Sequence, residues 1–213
     1  MLVRDVMTSD PITIRLQGDP RAALGLCKSG RFRRLPVVDS EGHVVGIVTR
    51  GMLERFLATA PPPTIQARQH GISQVMATPV ITVSPDDPME EAARLMVAQQ
   101  IGSLPVVDQG RLVGIITETD IFKEFVEILG GQTTALRLTV IVPDVPGSLA
   151  RVVNAVADLR GNIRSAIILP CEDPGCRAVT LWIEGLNREG LTEAVARLEG
   201  VRLTRLWSPP PVE

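Results

Sequence analysis

The 213-residue sequence has no tyrosine, and its aromatic residues are four phenylalanines and two tryptophans. So few flat side chains leave little from which to build the stacking platforms that hold single-stranded nucleic acid. An excess of one charge is missing too. Lys and Arg number 22 against 24 Asp and Glu, a net charge of -2, which gives no bulk attraction to a phosphate backbone. No apolar run approaches the roughly 18 residues of a membrane span. The N-terminal MLVRDVMTSDP lacks the apolar core of a signal peptide. The expectation is a cytoplasmic protein that engages neither nucleic acid nor membrane.

Reactive side chains are scarce as well. Three cysteines (Cys27, Cys171, Cys176) fit no disulfide framework. Cys171 and Cys176, in PCEDPGC, would need further ligands to hold a metal, and the histidines are only His43 and His70. The cysteines read as packing or incidental thiols; a reversible bridge across this turn is the other reading. No Ser, His and acid set suggests a triad, and His43 beside Gly42 reads as an exposed turn residue. No G-x-G-x-x-G occurs, and GLCKSGR at residues 25–31 lacks the Lys-Ser/Thr that a phosphate loop carries directly after its second glycine. No catalytic residue, metal or cofactor is therefore expected, and the chain does not read as an enzyme.

What the sequence does have is a repeat. LPVVDSEGHVVGIVTRGM at residues 35–52 returns as LPVVDQGRLVGIITETD at residues 104–120. An offset of 69 superposes Val6-Met7 on Val75-Met76 and both LPVVD runs; past the turn the offset is 68 and superposes the two VGI runs. The lost residue falls in a hairpin turn, where length varies freely. Each copy reads as a short apolar segment (residues 3–7 and 72–76), then a polar corner (8–11 and 77–79). A β-rich triplet (12–14 and 81–83), a helix, a hairpin and a closing helix (52–59 and 120–129) follow. Asp19-Pro20 open the first long helix, with Ala22, Ala23, Leu26 and Cys27 as its apolar stripe. In the second copy Asp87 is expected to cap, Pro88 to begin the helix and Glu90 to complete a capping box. The hairpins are apolar at nearly every position, as in strands buried on both faces. One copy of about 60 residues buries little core alone, so two copies are expected to face each other with clefts between them.

Residues 60–71, with three consecutive prolines, read as a stiff linker between repeats 1–59 and 72–129. Residues 130–135 read as a second break, 136–207 as a different domain, and 208–213 as a tail. In that third domain strands are expected at residues 136–142, 163–169, 177–183 and 201–207, with helices at 149–159 and 191–198. Ser148 is expected to cap the first helix and Gly161-Asn162 to end it. The order βαββαβ is that of a split-βαβ sandwich with both helices on one face.

The two copies resemble CBS repeats, which pair into a Bateman module; LPVVD, VGI and GIITETD carry the resemblance. The third domain resembles an ACT domain through DVPGSL (residues 144–149) and Gly161-Asn162-Ile163. The whole order is similar to that of the acetoin-utilisation B-type proteins. The implied fold class is α+β, a tandem CBS pair followed by a ferredoxin-like ACT domain. The implied function is regulatory: an adenine nucleotide (AMP, ADP, ATP or S-adenosylmethionine) bound between the repeats. Asp120 at a helix start can accept both ribose hydroxyls, while Thr117, Thr119 and the helix N-terminus suit phosphate. Thr78, Val80 and Ile101 would line the base slot, and Gly102, Ser103 and Pro105 complete that set. The resemblance suggests that phosphate is reached from the sister repeat by Arg33, Arg34 and Arg50, whose guanidinium forks suit its oxygens.

Simpler readings stand beside these. Asp120 is also a natural helix cap, and Arg33 and Arg34 also read as solvated surface charge. Met52 stands where Asp120 stands in the other copy, so one competent nucleoside site is expected. The ACT resemblance implies an amino-acid effector pocket at a subunit interface, made by Asp144, Val145, Gly147, Ser148, Leu149, Asn162 and Ile163. The alternative is that Pro146-Gly147 only shape the turn and Asn162 only caps. Pairing of exposed sheet edges suggests a homodimer. The competing function is a ligand-free dimeric interaction scaffold in acetoin or related carbon metabolism, with a regulated partner left unspecified.

Overall fold

A computed structural model of the chain describes residues 1–30, 32–59, 71–129 and 135–208. The proline-rich linker, the break at 130–134, His70, Arg31 of GLCKSGR and Pro209-Pro210-Pro211 lie outside the described residues. The chain divides into two compact units, Met1–Phe122 and Lys123–Glu213.

The first unit begins with α1 (Val3–Val6), β1 (Thr8–Ser9), β2 (Ile14–Arg15) and α2 (Pro20–Ser29). The hairpin β3 (Arg34–Val38) and β4 (Val44–Thr49) leads into α3 (Arg50–Thr59). A 3-10 turn (Ile72–Gln74) opens the second copy, followed by α4 (Met89–Gln99), β5 (Ser103–Asp108), β6 (Arg111–Thr117) and α5 (Glu118–Ile128). As the sequence suggests, Asp19 caps α2, its carboxylate accepting from the Arg21 N–H at 2.9 Å, with Pro20 in the first turn. The buried face of that helix carries Pro20, Ala23 and Cys27, whereas Ala22 is exposed.

Each repeat holds a three-stranded sheet, β2-β3-β4 in the first and β1-β6-β5 in the second. The leaders are exchanged. Thr8 pairs with Ile115 of the second repeat, and Ala77 bridges Ile47 of the first. Val3 is buried with Val83, Met89, Met96, Leu104 and Ile116, while Ile72 and Val75 are buried with Leu35, Val37, Val48 and Leu53. Glycine makes room for both crossings: a Cβ on Gly114 would strike the Met7 sulfur, and one on Gly46 the Met76 sulfur. These contacts repeat at the two sequence offsets, so the repeats interlock about a pseudo-twofold relation. His43 bridges Arg111, residues equivalent at the offset of 68.

The hairpin turns explain the change of offset. Gln109 and Gly110, both with positive φ (46° and 82°), form a two-residue turn between β5 and β6, the conformation that matches strand twist. The first copy uses one residue more, held by Asp39, whose carboxylate accepts from the backbones of Glu41 and His43 at 2.9 Å each.

Three local expectations fail in this unit. The triplets 12–14 and 81–83 are not full strands: β2 starts only at Ile14, and Val83 makes a single bridge to Val106. The corner at 8–11 contains β1. Asp87 does not cap α4. Its carboxylate accepts from the Ser84 N–H at 2.8 Å, and Pro88 takes the cap position with no side-chain bond. A short carboxylate bonds whichever nearby N–H the turn presents first.

The second unit has the order β7 (Leu136–Pro143), α6 (Ser148–Asp158), β8 (Asn162–Pro170), β9 (Cys176–Glu184), α7 (Arg188–Ala196) and β10 (Arg202–Trp207). Its sheet runs β10-β7-β9-β8, the βαββαβ arrangement read from the sequence. Leu136, Leu138, Val140 and Val142 alternate inward on β7 and pack with Val152 and Val156 of α6 and Leu191 and Val195 of α7. Both helices therefore cover one face. Gly147 (φ 87°), not Ser148, is the N-terminal cap of α6; Ser148 is the first helical residue. The left-handed residue after the helix is Arg160 (φ 61°), not Gly161 or Asn162. Gly161 is needed for close packing instead, since a Cβ there would lie 2.6 Å from Leu186 and 2.9 Å from Val156.

Candidate functional site

The mouth of the second repeat is built where β5 starts and β6 runs into α5. Ser103 and Thr117 are cross-strand partners, so the first residue of one strand and the last of the other lie side by side. Thr117 caps α5. Its hydroxyl accepts from the Asp120 N–H at 3.4 Å and donates to Asp120 Oδ2 at 2.7 Å, and its own N–H donates to the same Oδ2 at 2.9 Å. Asp120 is thus the returning arm of a capping box, and Thr117 is the cap. The box fixes a half-buried carboxylate at the positive end of an 11-residue helix.

Beside it sits an unsatisfied group. Ser103 is 4% exposed, and its hydroxyl has no hydrogen-bond partner. Leaving a buried hydroxyl unpaired costs about 1–3 kcal/mol, so such a group calls for a partner supplied from outside the chain.

The first repeat reaches into this mouth. A Cβ on Gly102 would run into Arg34 Nη2 and lie 2.5 Å from Glu118 Oε2. Gly102 is therefore flanked by a guanidinium from one repeat and a carboxylate from the other, and a larger side chain there would push both aside. Glu118 escapes a reading based on motif alone. Its signal was the internal alignment: at an offset of 68 it answers to Arg50.

The equivalent mouth of the first repeat is differently furnished. Thr49 caps α3 by accepting from the Met52 N–H at 3.2 Å, but Met52 offers no carboxylate in return. Arg50 is bonded along its own helix to Glu54 at 2.8 Å, which raises the Arg50 pKa and lowers that of Glu54. The Arg33 side chain is exposed. The Arg50 N–H donates to the Arg33 carbonyl at 2.9 Å, just as the Glu118 N–H donates to that of Gly102 at 3.2 Å.

The structure thus gathers Gly102, Ser103, Thr117, Asp120 and Arg34. Thr119 and Thr78 are exposed; Val80 and Ile101 are half-buried. Thr78 follows Ala77, which is tied to Ile47 by two backbone bonds of 2.9 and 3.2 Å. Pro105 is buried, and its carbonyl accepts from the Val83 N–H at 3.1 Å.

The second candidate set separates. Asp144, Val145, Gly147, Ser148 and Leu149 lie at the end of β7 near Cys176, whereas Asn162 and Ile163 pair with Glu184 and Ile183 at the far end of β9. About eight residues of strand, roughly 25 Å, lie between them. One chain does not bring these residues into one pocket. Asp144 is paired with Arg177 at 2.8 Å, whose hydrogen bond holds its carboxyl below the usual range. The buried Ser148 hydroxyl accepts from Arg151 at 3.3 Å. Among the described residues, no group of three or more His, Cys, Asp or Glu could hold a metal ion, and no helix is long and apolar enough to cross a membrane.

Comparison with known proteins matches the CBS domain model to residues 3–59 and 72–127 and the ACT domain model to residues 136–202. A CBS domain-containing protein of Dictyostelium discoideum is 33% identical over 138 residues, which is 61% of this chain and 94% of that protein. The CBS domain pair of protein MJ0100, solved in complex with 5′-methylthioadenosine and S-adenosyl-L-methionine, is 31% identical with a TM-score of 0.53. That match covers 62% of this chain and 98% of the pair. A Vibrio cholerae protein assigned to acetoin utilization (AcuB) is 31% identical with a TM-score of 0.54, over 62% of this chain and 95% of that one. The chain spans only 22–23% of the length of several curated enzymes that it also matches.

Proposed function

The chain belongs to the CBS-domain family and carries a C-terminal ACT domain, and from that premise we propose that it is a non-enzymatic sensor of an adenine nucleotide or adenosine derivative, bound at the mouth of the second repeat. The observation that carries the reading is the buried, unpartnered Ser103 hydroxyl, set beside the Thr117–Asp120 box and reached by Arg34 from the other repeat. A ribose presents two adjacent hydroxyls, and a carboxylate held by a helix cap accepts both. The Ser103 hydroxyl gains its missing partner from the ligand. The Arg34 guanidinium and the α5 N-terminus supply the positive field that phosphate or sulfonium-side carboxylate oxygens require. The adenosine derivatives bound by the similar CBS pair of protein MJ0100 support this class of ligand.

Occupancy would change how the interlocked repeats sit on one another, because the site takes side chains from both. An effector at the ACT domain would need a second chain to join the Asp144 turn to Asn162. A homodimer that also covers the sheet edges β8 and β10 meets that need. Any coupling between the two ligands is then reciprocal. Calorimetric titration of the full chain with AMP, ATP and S-adenosylmethionine tests the proposal. At least one is expected to bind, and to bind far more weakly to Asp120→Ala. The other reading, a scaffold with empty clefts, predicts an unchanged melting temperature across the same panel, since a ligand of the native state raises stability.

A further inference from the structure

The turn between β8 and β9 places two thiols opposite each other. Pro170 pairs with Arg177 and Leu169 with Ala178, and the same antiparallel register continued by one step pairs Cys171 with Cys176. Cross-strand residues stand about 4.5–5.5 Å apart at Cα, inside the range of about 4.4–6.8 Å that a disulfide spans. The thiols are near enough that Cys171 raises the Cys176 pKa, and the Cys176 thiol donates to the Asp173 carbonyl within the turn at 3.2 Å. Both cysteines are half-buried, within reach of a small reagent, whereas Cys27 is fully buried in the first repeat. The four residues between them, Glu172 to Gly175, close with Gly175 at φ 87°, so the loop already has the shape a bridge would fix.

We infer that Cys171 and Cys176 are a redox-responsive dithiol, which closes to a disulfide by exchange with a low-molecular-weight disulfide and stiffens the turn behind Asp144. The exchange balances without a further oxidant. One thiol, as thiolate, attacks a sulfur of the external disulfide and releases one small thiol. The second displaces the other small thiol from the mixed disulfide. The chain gives up two protons and two electrons, and the external disulfide becomes two thiols. The Cys176 thiol is hard to ionise, its pKa pushed up to about 11 chiefly by its interaction with Cys171 and then by burial, so the first attack does not fall to it. The turn is joined to the Asp144 loop at two points: the Asp144 N–H donates to the Gly175 carbonyl at 2.8 Å, and Arg177 pairs with Asp144. Closing the bridge across the segment that ends in Gly175 therefore restrains the loop that precedes α6.

The test equilibrates the reduced full chain with glutathione buffers of graded potential, then traps free thiols and maps them by mass spectrometry. The expected product is one internal bridge between Cys171 and Cys176, a loss of about 2 Da, with Cys27 free. Cys176→Ser should instead stop at a stable glutathione adduct on Cys171. Hydrogen exchange on the oxidised chain should slow at the Asp144 amide. Persistent glutathione adducts on the wild-type pair, or two free thiols under excess oxidised glutathione, would overturn the dithiol. An internal bridge with unchanged exchange at Asp144 would overturn its effect on the loop.

Discussion

The two repeats share a backbone and differ at their mouths. In the first, Arg33, Arg34, Arg50 and Met52 occupy the four positions that in the second are Gly102, Ser103, Glu118 and Asp120. The threonine that caps the closing helix, Thr49 or Thr117, is the same in both. What the two copies share is the residue the helix needs; what differs is the set around the mouth. The first copy carries guanidinium groups where the second carries a hydroxyl and carboxylates. Arg34 shows the division at work, since it is anchored on β3 yet lies against Gly102.

That comparison can be broken at its base, by asking whether the two cores are equivalent. Leu35 (1% exposed) and Leu104 (0%) hold matching places in their clusters. Each change to alanine should cost about 2–5 kcal/mol in urea unfolding, and the two losses should be similar. A large loss in one and a small loss in the other would mean that the repeats carry unequal shares of the core. Next in size, Asp120→Ala should weaken nucleotide binding roughly ten- to a hundredfold, the scale of lost hydrogen bonds to a charged group. Met52→Ala at the equivalent position should leave affinity unchanged in the same calorimeter.

Ser103→Ala sharpens the comparison through opposite signs. Removing an unpaired buried hydroxyl should raise the ligand-free stability by about 1 kcal/mol, while the affinity falls. A drop in ligand-free stability would mean that the hydroxyl is already satisfied. The smallest effect is in the turns. Asp39 has its pKa lowered, first by the backbone hydrogen bond from His43. Its contribution is therefore full above the ordinary carboxylate value of about 4 and is lost as pH falls through the depressed one. Asp39→Asn should flatten the melting-temperature profile in that acid window, lying slightly below the wild type near neutrality and meeting it at the acid end.

The repeat, the hairpins and the βαββαβ order were legible because they rest on apolar periodicity and turn chemistry, which are local. The exchange of leaders was not. Val3, Val6 and Met7 read just like Ile72, Val75 and Met76, and nothing in either segment says which hairpin it covers. Caps failed where a side chain had a choice: Asp87 bonds Ser84, and Ser148 turns inward to Arg151. Arg160 ends its helix without a glycine to announce it. At the site, Asp120 and Arg34 were readable from type and alignment. The unpartnered state of Ser103 depends on packing and became visible only in three dimensions. The separation of Asn162 from the Asp144 turn likewise follows from strand direction, not from motif.

The most direct test of the division between repeats is the stoichiometry of nucleotide binding by the 213-residue chain, measured by calorimetry at known active concentration. One ligand per chain, bound roughly ten- to a hundredfold more weakly by Asp120→Ala and unchanged in Met52→Ala, is the predicted result. Two equivalent ligands per chain, or binding indifferent to Asp120, would contradict it.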